Sequence, residues 1–336
     1  MKAVRFHQTG PADVLKVEEV PDPVPGPGEL LVTVRAAALN RMDIFLRSGA
    51  STMPGFTLPH TGGFDLAGDV AAVGPGGDPA RVGKPVVIKA KVTGPASRGR
   101  LDIIGISRPG GFAEKVLVPE SSAVPKPAAL SYEEAAAYPC VYLTAYYGLV
   151  LTAGVRPGEN VLVLGGSSGA GAAAIQVAKL AGASVIATVS SAEKADKCRR
   201  LAGADATVNY RTGDVPAAVR DFTGGRGADV VFDPVWGTTV AATLDCLNYG
   251  ARWIVIGMVG GPTAEISAAK VLFREVTIRG VVEFFAADDQ FHACLSLADA
   301  GRLRPIIDRV WPLAQLADAH RQMESGAFFG KIVVRP

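Results

Sequence analysis

A glycine-rich run, Gly165-Gly166-Ser167-Ser168-Gly169-Ala170-Gly171, follows the short apolar segment VLVL and precedes the helix-forming AAAIQVAKLAG. Glycines let a backbone turn sharply and approach a pyrophosphate closely. A helix beginning near Gly169 aims free N–H groups and the positive end of its dipole at such an anion. The chemistry implied is dinucleotide binding, with Gly166, Ser167, Ser168, Gly169 and Ala170 as the cradle. The spacing departs from G-x-G-x-x-G, so the signal rests on the strand–loop–helix–strand context. A tight βα turn without a ligand is the plain alternative.

The next strand, Val185–Thr188, tells which dinucleotide to expect. NAD-specific folds place an acid after it to hold the ribose 2′-hydroxyl. Here the tip reads Val189-Ser190-Ser191-Ala192-Glu193-Lys194, and Tyr210-Arg211 closes the following strand. Ser190, Lys194 and Tyr210, with Arg211 beside them, suit the charge-assisted contacts a 2′-phosphate needs. NADP(H) is the expected cofactor. Glu193 is the counter-evidence, and a solvated Lys194 the plain alternative.

Cysteine chemistry is not expected. The four cysteines, at 140, 198, 246 and 294, form no Cys-x-x-Cys pair. They read as reduced thiols of a cytoplasmic protein. Met1 leads straight into the alternating MKAVRF, so no secretory signal is expected.

These residues need elements to hold them. The 336 residues, 49% hydrophobic, suggest two domains. Lys plus Arg number 34 and Asp plus Glu 32, which argues against a charge-driven nucleic-acid binder and against a disordered charged tail. Between Arg81 and Lys126, nine cations face three acids, either a solvated basic face or a region that attracts anions. The uncharged stretch 135–155 is long enough to span a bilayer. Pro139, Gly148, Gly154 and four tyrosines make it read instead as a buried helix at a domain junction. No membrane and no nucleic-acid partner is expected.

The first third is β-rich. LLVTVRAAAL, GDVAAVG, KPVVIKAKV and FAEKVLVP are separated by Pro and Gly clusters, as in an irregular β-barrel-like domain. From residue 130 strands alternate with helices, beginning with a capping box at Ser131 and Glu134. Repeated βα units predict an α/β fold with a doubly wound parallel (Rossmann) sheet. The closing KIVVRP resumes the N-terminal style, so the chain is expected to return to its first domain.

End to end, MKAVRF, PGPGELLVTVRAAALNRMDIFLRSG, FDLAGDVAAVG, GGFAEKVLVP, LTAYYGL, the glycine loop, NYR, DVVFDPVWG and GKIVV make the chain resemble the medium-chain dehydrogenase/reductase superfamily. More narrowly it resembles the zinc-free quinone oxidoreductase branch. The resemblance implies a GroES-like substrate domain over 1–125 and 300–336 and a Rossmann domain over 126–299. It implies no zinc. Zinc members keep a cysteine where Asn40 stands and Gly-His-Glu where this chain reads Gly63-Phe64-Asp65. Their four-cysteine lobe is replaced by TGPASRGRLDIIGISRP. Cys140 alone cannot supply the three protein ligands of a catalytic zinc, and His60 reads as structural.

The resemblance also implies site residues. Asn40 and Asp43 match an Asn-x-x-Asp that lines the active site. Asn40 orients the nicotinamide ribose or a substrate oxygen, and Asp43 either joins it or pairs with Arg47. The tyrosine that often stands beside this Asp is replaced by Ile44 and Phe45, which leaves Tyr138 and Tyr142 as candidate proton donors. Thr144 falls in a Thr-Ala pair that approaches the nicotinamide. Val235 and Trp236 in the DPVWG turn, Gly257 and Met258 after WIVIG, Phe284, Phe285 and Lys331 complete the expected cofactor contacts. For Lys331 a surface position is the plainer reading.

The expected activity is NADPH-dependent reduction of a quinone or an α,β-unsaturated carbonyl. Reduction of a specific biosynthetic C=C or C=N is the alternative, with a non-catalytic cofactor binder as a third. Relatives commonly dimerise through the edge strand of the cofactor sheet, and EVTIRGVVEFF is an apolar segment at that place, so a homodimer is expected.

Overall fold

A computed structural model describes residues 1–99 and 101–336. Arg100, one of the nine cations of the basic segment, lies outside the described residues. The chain divides into two units, Met1–Pro139 with Ala298–Pro336, and Cys140–Leu297.

In the first unit, β1 (Lys2–Arg5) pairs antiparallel with β2 (Lys16–Glu19). The long β3 (Glu29–Ala38) buries most of its side chains and delivers the chain to α1 (Arg41–Ser48). Gly49, at φ 80°, ends that helix in the left-handed conformation glycine tolerates. Then come β4 (Asp65–Val73), β5 (Pro85–Ile88), β6 (Lys115–Pro119) and β7 (Ala123–Pro125).

Between β5 and β6 the cysteine-free lobe folds around a buried ion pair. Arg108 Nε and Nη2 donate to Asp102 Oδ1 and Oδ2 at 2.9 and 2.7 Å. Ser107 Oγ and Arg98 N–H donate to the same carboxylate at 2.9 and 2.6 Å.

The capping box forms as expected. Ser131 Oγ accepts Glu134 N–H, Glu134 Oε2 accepts Ser131 N–H at 2.9 Å, and α2 (Tyr132–Ala137) begins there. This helix lies against β3 and β4. Residues 126–139 therefore go with the first unit, where the sequence reading had started the second at 126.

The chain enters the second unit through α3 (Pro139–Ala145), which runs into a wider π-helical stretch, Tyr146–Thr152. Among the described residues no helix is long and apolar enough to cross a membrane. The βα alternation follows: β8 (Asn160–Val163), α4 (Gly169–Leu180), β9 (Ser184–Val189), α5 (Ala192–Lys197), β10 (Ala206–Asn209), α6 (Val215–Phe222), β11 (Ala228–Asp233), α7 (Val240–Asp245), β12 (Leu247–Val255), α8 (Ala268–Phe273), β13 (Thr277–Gly280) and α9 (Asp288–Asp299). The six strands are parallel in the order β10-β9-β8-β11-β12-β13. That is the doubly wound order, with its reversal between β8 and β11, where such sheets bind dinucleotides. Leu162, Ile186, Val231 and Trp253 fill the core of the unit.

The chain then returns to the first unit as β14 (Ile307–Pro312), α10 (Leu316–Ser325) and β15 (Lys331–Arg335). The first unit's large sheet runs β14-β15-β3-β4-β5-β7, with β6 also on β3. Leu30, Val32, Leu66, Val86, Val118 and Ile332 pack its core. The expected fold is thus present: a Rossmann sheet, and a separate, mainly antiparallel sheet of GroES-like type.

Candidate functional site

Hydrogen bonding sets the shape of the glycine loop. Gly165 N–H donates to Thr188 Oγ1 and Gly166 N–H to Thr188 O, both at 2.9 Å, so the loop is tied to the tip of β9. Ser168 caps α4, accepting Gly171 N–H at 3.0 Å and donating to Gly165 O at 2.8 Å. A Cβ on Gly171 would lie 2.2 Å from Gly165 O, and one on Gly166 would lie 2.7 Å from Ala187 Cβ. The tight loop leaves the N–H groups of Gly169 and Ala170 at the start of the helix without i−4 acceptors. Such a cradle fits the pyrophosphate of a dinucleotide.

At the tip of β9, Ser191 caps α5 by accepting Lys194 N–H at 3.2 Å. Glu193 pairs with Lys197 at 2.7 Å and is 75% exposed, so its charge is engaged on the outer face of the helix. Tyr210 N–H donates to Val189 O at 3.0 Å, which ties the half-exposed Tyr210 to the tip of β9.

Val235, Trp236, Gly257 and Met258 come together at the ends of β11 and β12. Ile256 N–H bonds Asp233 O at 2.8 Å, and Gly260 N–H bonds Val235 O at 2.7 Å. Gly257 leaves no room for a side chain, since a Cβ there would meet Pro234 O at 2.7 Å. Val235 also approaches the glycine loop, 3.8 Å from where a Cβ on Gly165 would stand. Trp236 takes φ 55°, ψ −152°, a region almost reserved for glycine. The Asp233 carboxylate holds it there, accepting Val235 N–H (2.7 Å), Trp236 N–H (2.8 Å) and Trp253 Nε1–H (2.9 Å). The two indoles lie 5.3 Å apart. Phe284 is buried and Phe285 half-exposed in the short turn Glu283–Phe285 after β13.

Two expected catalytic residues of this unit are buried with partners of their own. Tyr142 is 2% exposed and hydrogen-bonded with Gln176, and burial raises its hydroxyl well above the ordinary range. It is a core residue, not an available acid. Thr144 is buried and donates to Cys140 O one turn back at 2.7 Å, a common way to satisfy a mid-helix hydroxyl. Tyr138, in the first unit, is also fully buried.

The first unit gathers Asn40, Asp43, Asp65 and Lys331. Asn40 follows β3 as the N-cap of α1, and the first turn of that helix brings Asp43 back on it. Asp43 Oδ2 accepts Asn40 N–H at 2.7 Å and Oδ1 accepts Gly63 N–H at 3.1 Å. Burial pushes the Asp43 carboxyl up to about 7 against those bonds and the nearby Lys331 charge. Of the two roles offered for Asp43, the pairing with Arg47 does not occur: buried Arg47 reaches Glu324 on α10 instead. Lys331 overturns both earlier readings of it. It is 4% exposed, not a surface lysine, and its three donors go to Leu39 O (2.9 Å), Asn40 Oδ1 (2.7 Å) and Asp65 Oδ2 (3.1 Å). None remains for a cofactor. His60 Nε2–H donates to Gly105 O at 3.0 Å among aromatic edges, a structural placement.

Sequence reasoning missed His320. It is 2% exposed on α10, has neither ring nitrogen hydrogen-bonded, and is pushed down to about 3 by burial and by Arg47. With Asp43, His60 and Phe112 it lines a small cavity. A lone histidine on an amphipathic helix carries no signal that would have pointed to it. Among the described residues no group of three His, Cys, Asp or Glu is placed to hold a metal ion.

Comparison with known proteins agrees with both units. Residues 26–128 match the alcohol dehydrogenase GroES-like domain, and residues 169–300 the zinc-binding dehydrogenase family. The chain is 30% identical to human quinone oxidoreductase, over 97% of this chain and 95% of that one. A solved NAD-dependent alcohol dehydrogenase is 38% identical, with a TM-score of 0.92 over 100% of both chains. Escherichia coli quinone oxidoreductase, solved with NADPH, is 28% identical, with a TM-score of 0.87 over 100% of both.

Proposed function

We infer the activity from one premise: the chain belongs to the medium-chain dehydrogenase/reductase superfamily and is quinone oxidoreductase-like. It is an oxidoreductase of that superfamily. We propose that it reduces a quinone or an α,β-unsaturated carbonyl with NADPH and without zinc.

The observation that carries the zinc-free reading is the Asn40–Lys331–Asp65 cluster. Asn40 and Asp65 of this cluster stand where zinc members of the superfamily place the cysteine and the Glu of the His-Glu pair, and Phe64 stands at the His. A divalent cation does not fit beside the Lys331 ammonium, and Asn40 and Phe64 are not zinc ligands. Without a Lewis acid, an isolated alcohol or carbonyl is a poor substrate. A conjugated acceptor spreads its developing charge onto an oxygen that hydrogen bonds can hold. Bound in the cradle of Gly166, Ser167, Ser168, Gly169 and Ala170, NADPH supplies the hydride. Val235, Trp236, Gly257 and Met258 shape the neighbouring strand ends against it. Asn40 orients the acceptor.

The choice of NADPH over NADH rests on Ser190, Lys194 and Tyr210, on the outward pairing of Glu193, and on the relative solved with NADPH. The NAD-dependent relative speaks for the other choice. Lys194→Ala is expected to raise the NADPH Michaelis constant roughly tenfold, about 1.4 kcal/mol, and to leave the NADH constant nearly unchanged. Equal effects in steady-state assays would reject the 2′-phosphate contact. The activity itself is tested by NADPH oxidation against a quinone, an enone and an imine, with NADH as control. Turnover of the imine alone would favour a specific biosynthetic reductase, which the loss of the usual tyrosine at 44–45 also favours. Tight NADPH binding with no turnover at all would sink the enzymatic reading.

A homodimer is part of the proposal. Strand β13 closes one edge of the parallel sheet, and Leu272 and Phe273 just before it are 69% and 77% exposed. A strand edge preceded by such exposed apolar side chains invites pairing with a second copy. Light scattering should give twice the mass of the chain; a monomer at micromolar concentration refutes it. A reduced, cytoplasmic setting, read from the spacing of the four cysteines in the sequence, completes the proposal.

A further inference from the structure

We propose that Lys331 is the positioning residue of the reductive site: it holds the Asn40 amide so that Asn40 offers an N–H, never its oxygen, to the substrate. This rests on the reading of Asn40 as the group that meets the acceptor. Lysine has only donors, so the Asn40 atom 2.7 Å from Lys331 Nζ is the amide oxygen. The orientation of the amide follows without ambiguity. Its nitrogen gives one hydrogen to Asp65 Oδ2 at 2.9 Å. Its other contact inside the unit, Ala38 O at 3.5 Å, is at the limit of a hydrogen bond. The second amide hydrogen has only this long contact, which a nearer ligand acceptor can replace.

The consequence is a rule about substrates. Asn40 recognises an acceptor atom, such as the oxygen of a quinone or enone, that gains negative charge as hydride arrives. The Lys331 ammonium, bonded to the far side of the same amide, polarises it and strengthens that donation. Lys331 does not touch the substrate, because its three N–H groups already have three protein acceptors. It acts through Asn40.

The fold keeps the lysine in place by main-chain means. Strand β15 pairs antiparallel with β3, Val333 opposite Ala38. Leu39 N–H donates to Ile332 O at 2.9 Å, and Lys331 N–H to Ile306 O at 2.8 Å. Gly330 precedes it at φ 90°, where a Cβ would collide with Ile306 O at 2.2 Å. The side chain thus leaves a fixed backbone point and crosses directly to Asn40.

The test compares the wild type with Lys331→Met and with Lys331→Met/Asp65→Asn, which keeps the cluster neutral if the single variant folds poorly. Each is assayed on a series of enones of graded electron demand, with NADPH affinity measured by fluorescence. In the double variant kcat should fall roughly 10–100-fold, less than the 10²–10³ of a lost direct oxyanion donor. The fall should steepen for electron-rich acceptors, while NADPH affinity stays within about twofold. An equal fall across the series in a folded protein means a merely structural lysine and overturns the proposal. So does lost NADPH affinity with kcat retained. If the wild type turns over no acceptor, it is the reductase reading that fails.

Discussion

Arg108→Met is expected to destabilise the protein by about 3–5 kcal/mol at pH 7, the usual cost of breaking a buried ion pair from one side. Asp102 and Arg108 are 2% and 8% exposed. Burial alone would raise the Asp102 carboxyl. Hydrogen bonds from Arg108, Arg98 N–H and Ser107 outweigh it and hold the carboxyl at about 2. A carboxylate depressed below its unfolded value of 3.8 contributes stability above that pH and loses it as pH falls through 2. In the variant the opposing bonds from arginine are gone, so burial raises the carboxyl. The deficit should therefore be largest at neutral pH and shrink as pH falls towards 4, where Asp102 can take up a proton. Urea unfolding at pH 7 and pH 4 reads both. Asp102→Asn/Arg108→Met should recover much of the loss, because it removes the charge that the single variant strands. Wild-type stability for Arg108→Met at pH 7 would show that the pair does not organise the lobe.

The second large effect is in the glycine loop. Gly171→Ala places a Cβ 2.2 Å from Gly165 O and 2.8 Å from Gly166 Cα, both backbone atoms that cannot swing away. The loop must open, and with it the cradle formed by the first amides of α4. NADPH affinity should fall roughly 100-fold, about 2.7 kcal/mol. Gly280→Ala, with nothing within 4 Å of its Cβ, should leave binding unchanged. A folded Gly171→Ala protein with wild-type affinity would mean that the pyrophosphate is held elsewhere.

The sequence made local features readable and tertiary ones unreadable. The loop and its context, the capping box at Ser131 and the βα alternation are set by neighbours in the chain, and the structure bears them out. Asp43 and Arg47 stand at helical spacing, so a local ion pair is one of the two readings the sequence offers. Glu324 of α10, 277 residues away, takes Arg47 instead. Lys331 looked like a surface lysine because its partners Asn40 and Asp65 are 291 and 266 residues distant. The tyrosines of the uncharged 135–155 stretch offered chemistry by type alone; burial in the structure removes that option for Tyr138 and Tyr142. A count of charges showed 81–126 as a basic region, and nothing in it announced that Arg108 is neutralised inside.

The interleaved layout of the units orders the protein's synthesis. The second unit is one continuous stretch, Cys140–Leu297, while the first is interrupted and needs Ala298–Pro336. A nascent chain emerging from the ribosome can close its cofactor sheet while the N-terminal sheet still lacks β14 and β15. Until they emerge, β3 lacks its β15 partner and Asn40 lacks its lysine. The unit translated first is thus completed last. On the proposed reading, the glycine loop can close on a growing chain well before Lys331 reaches Asn40.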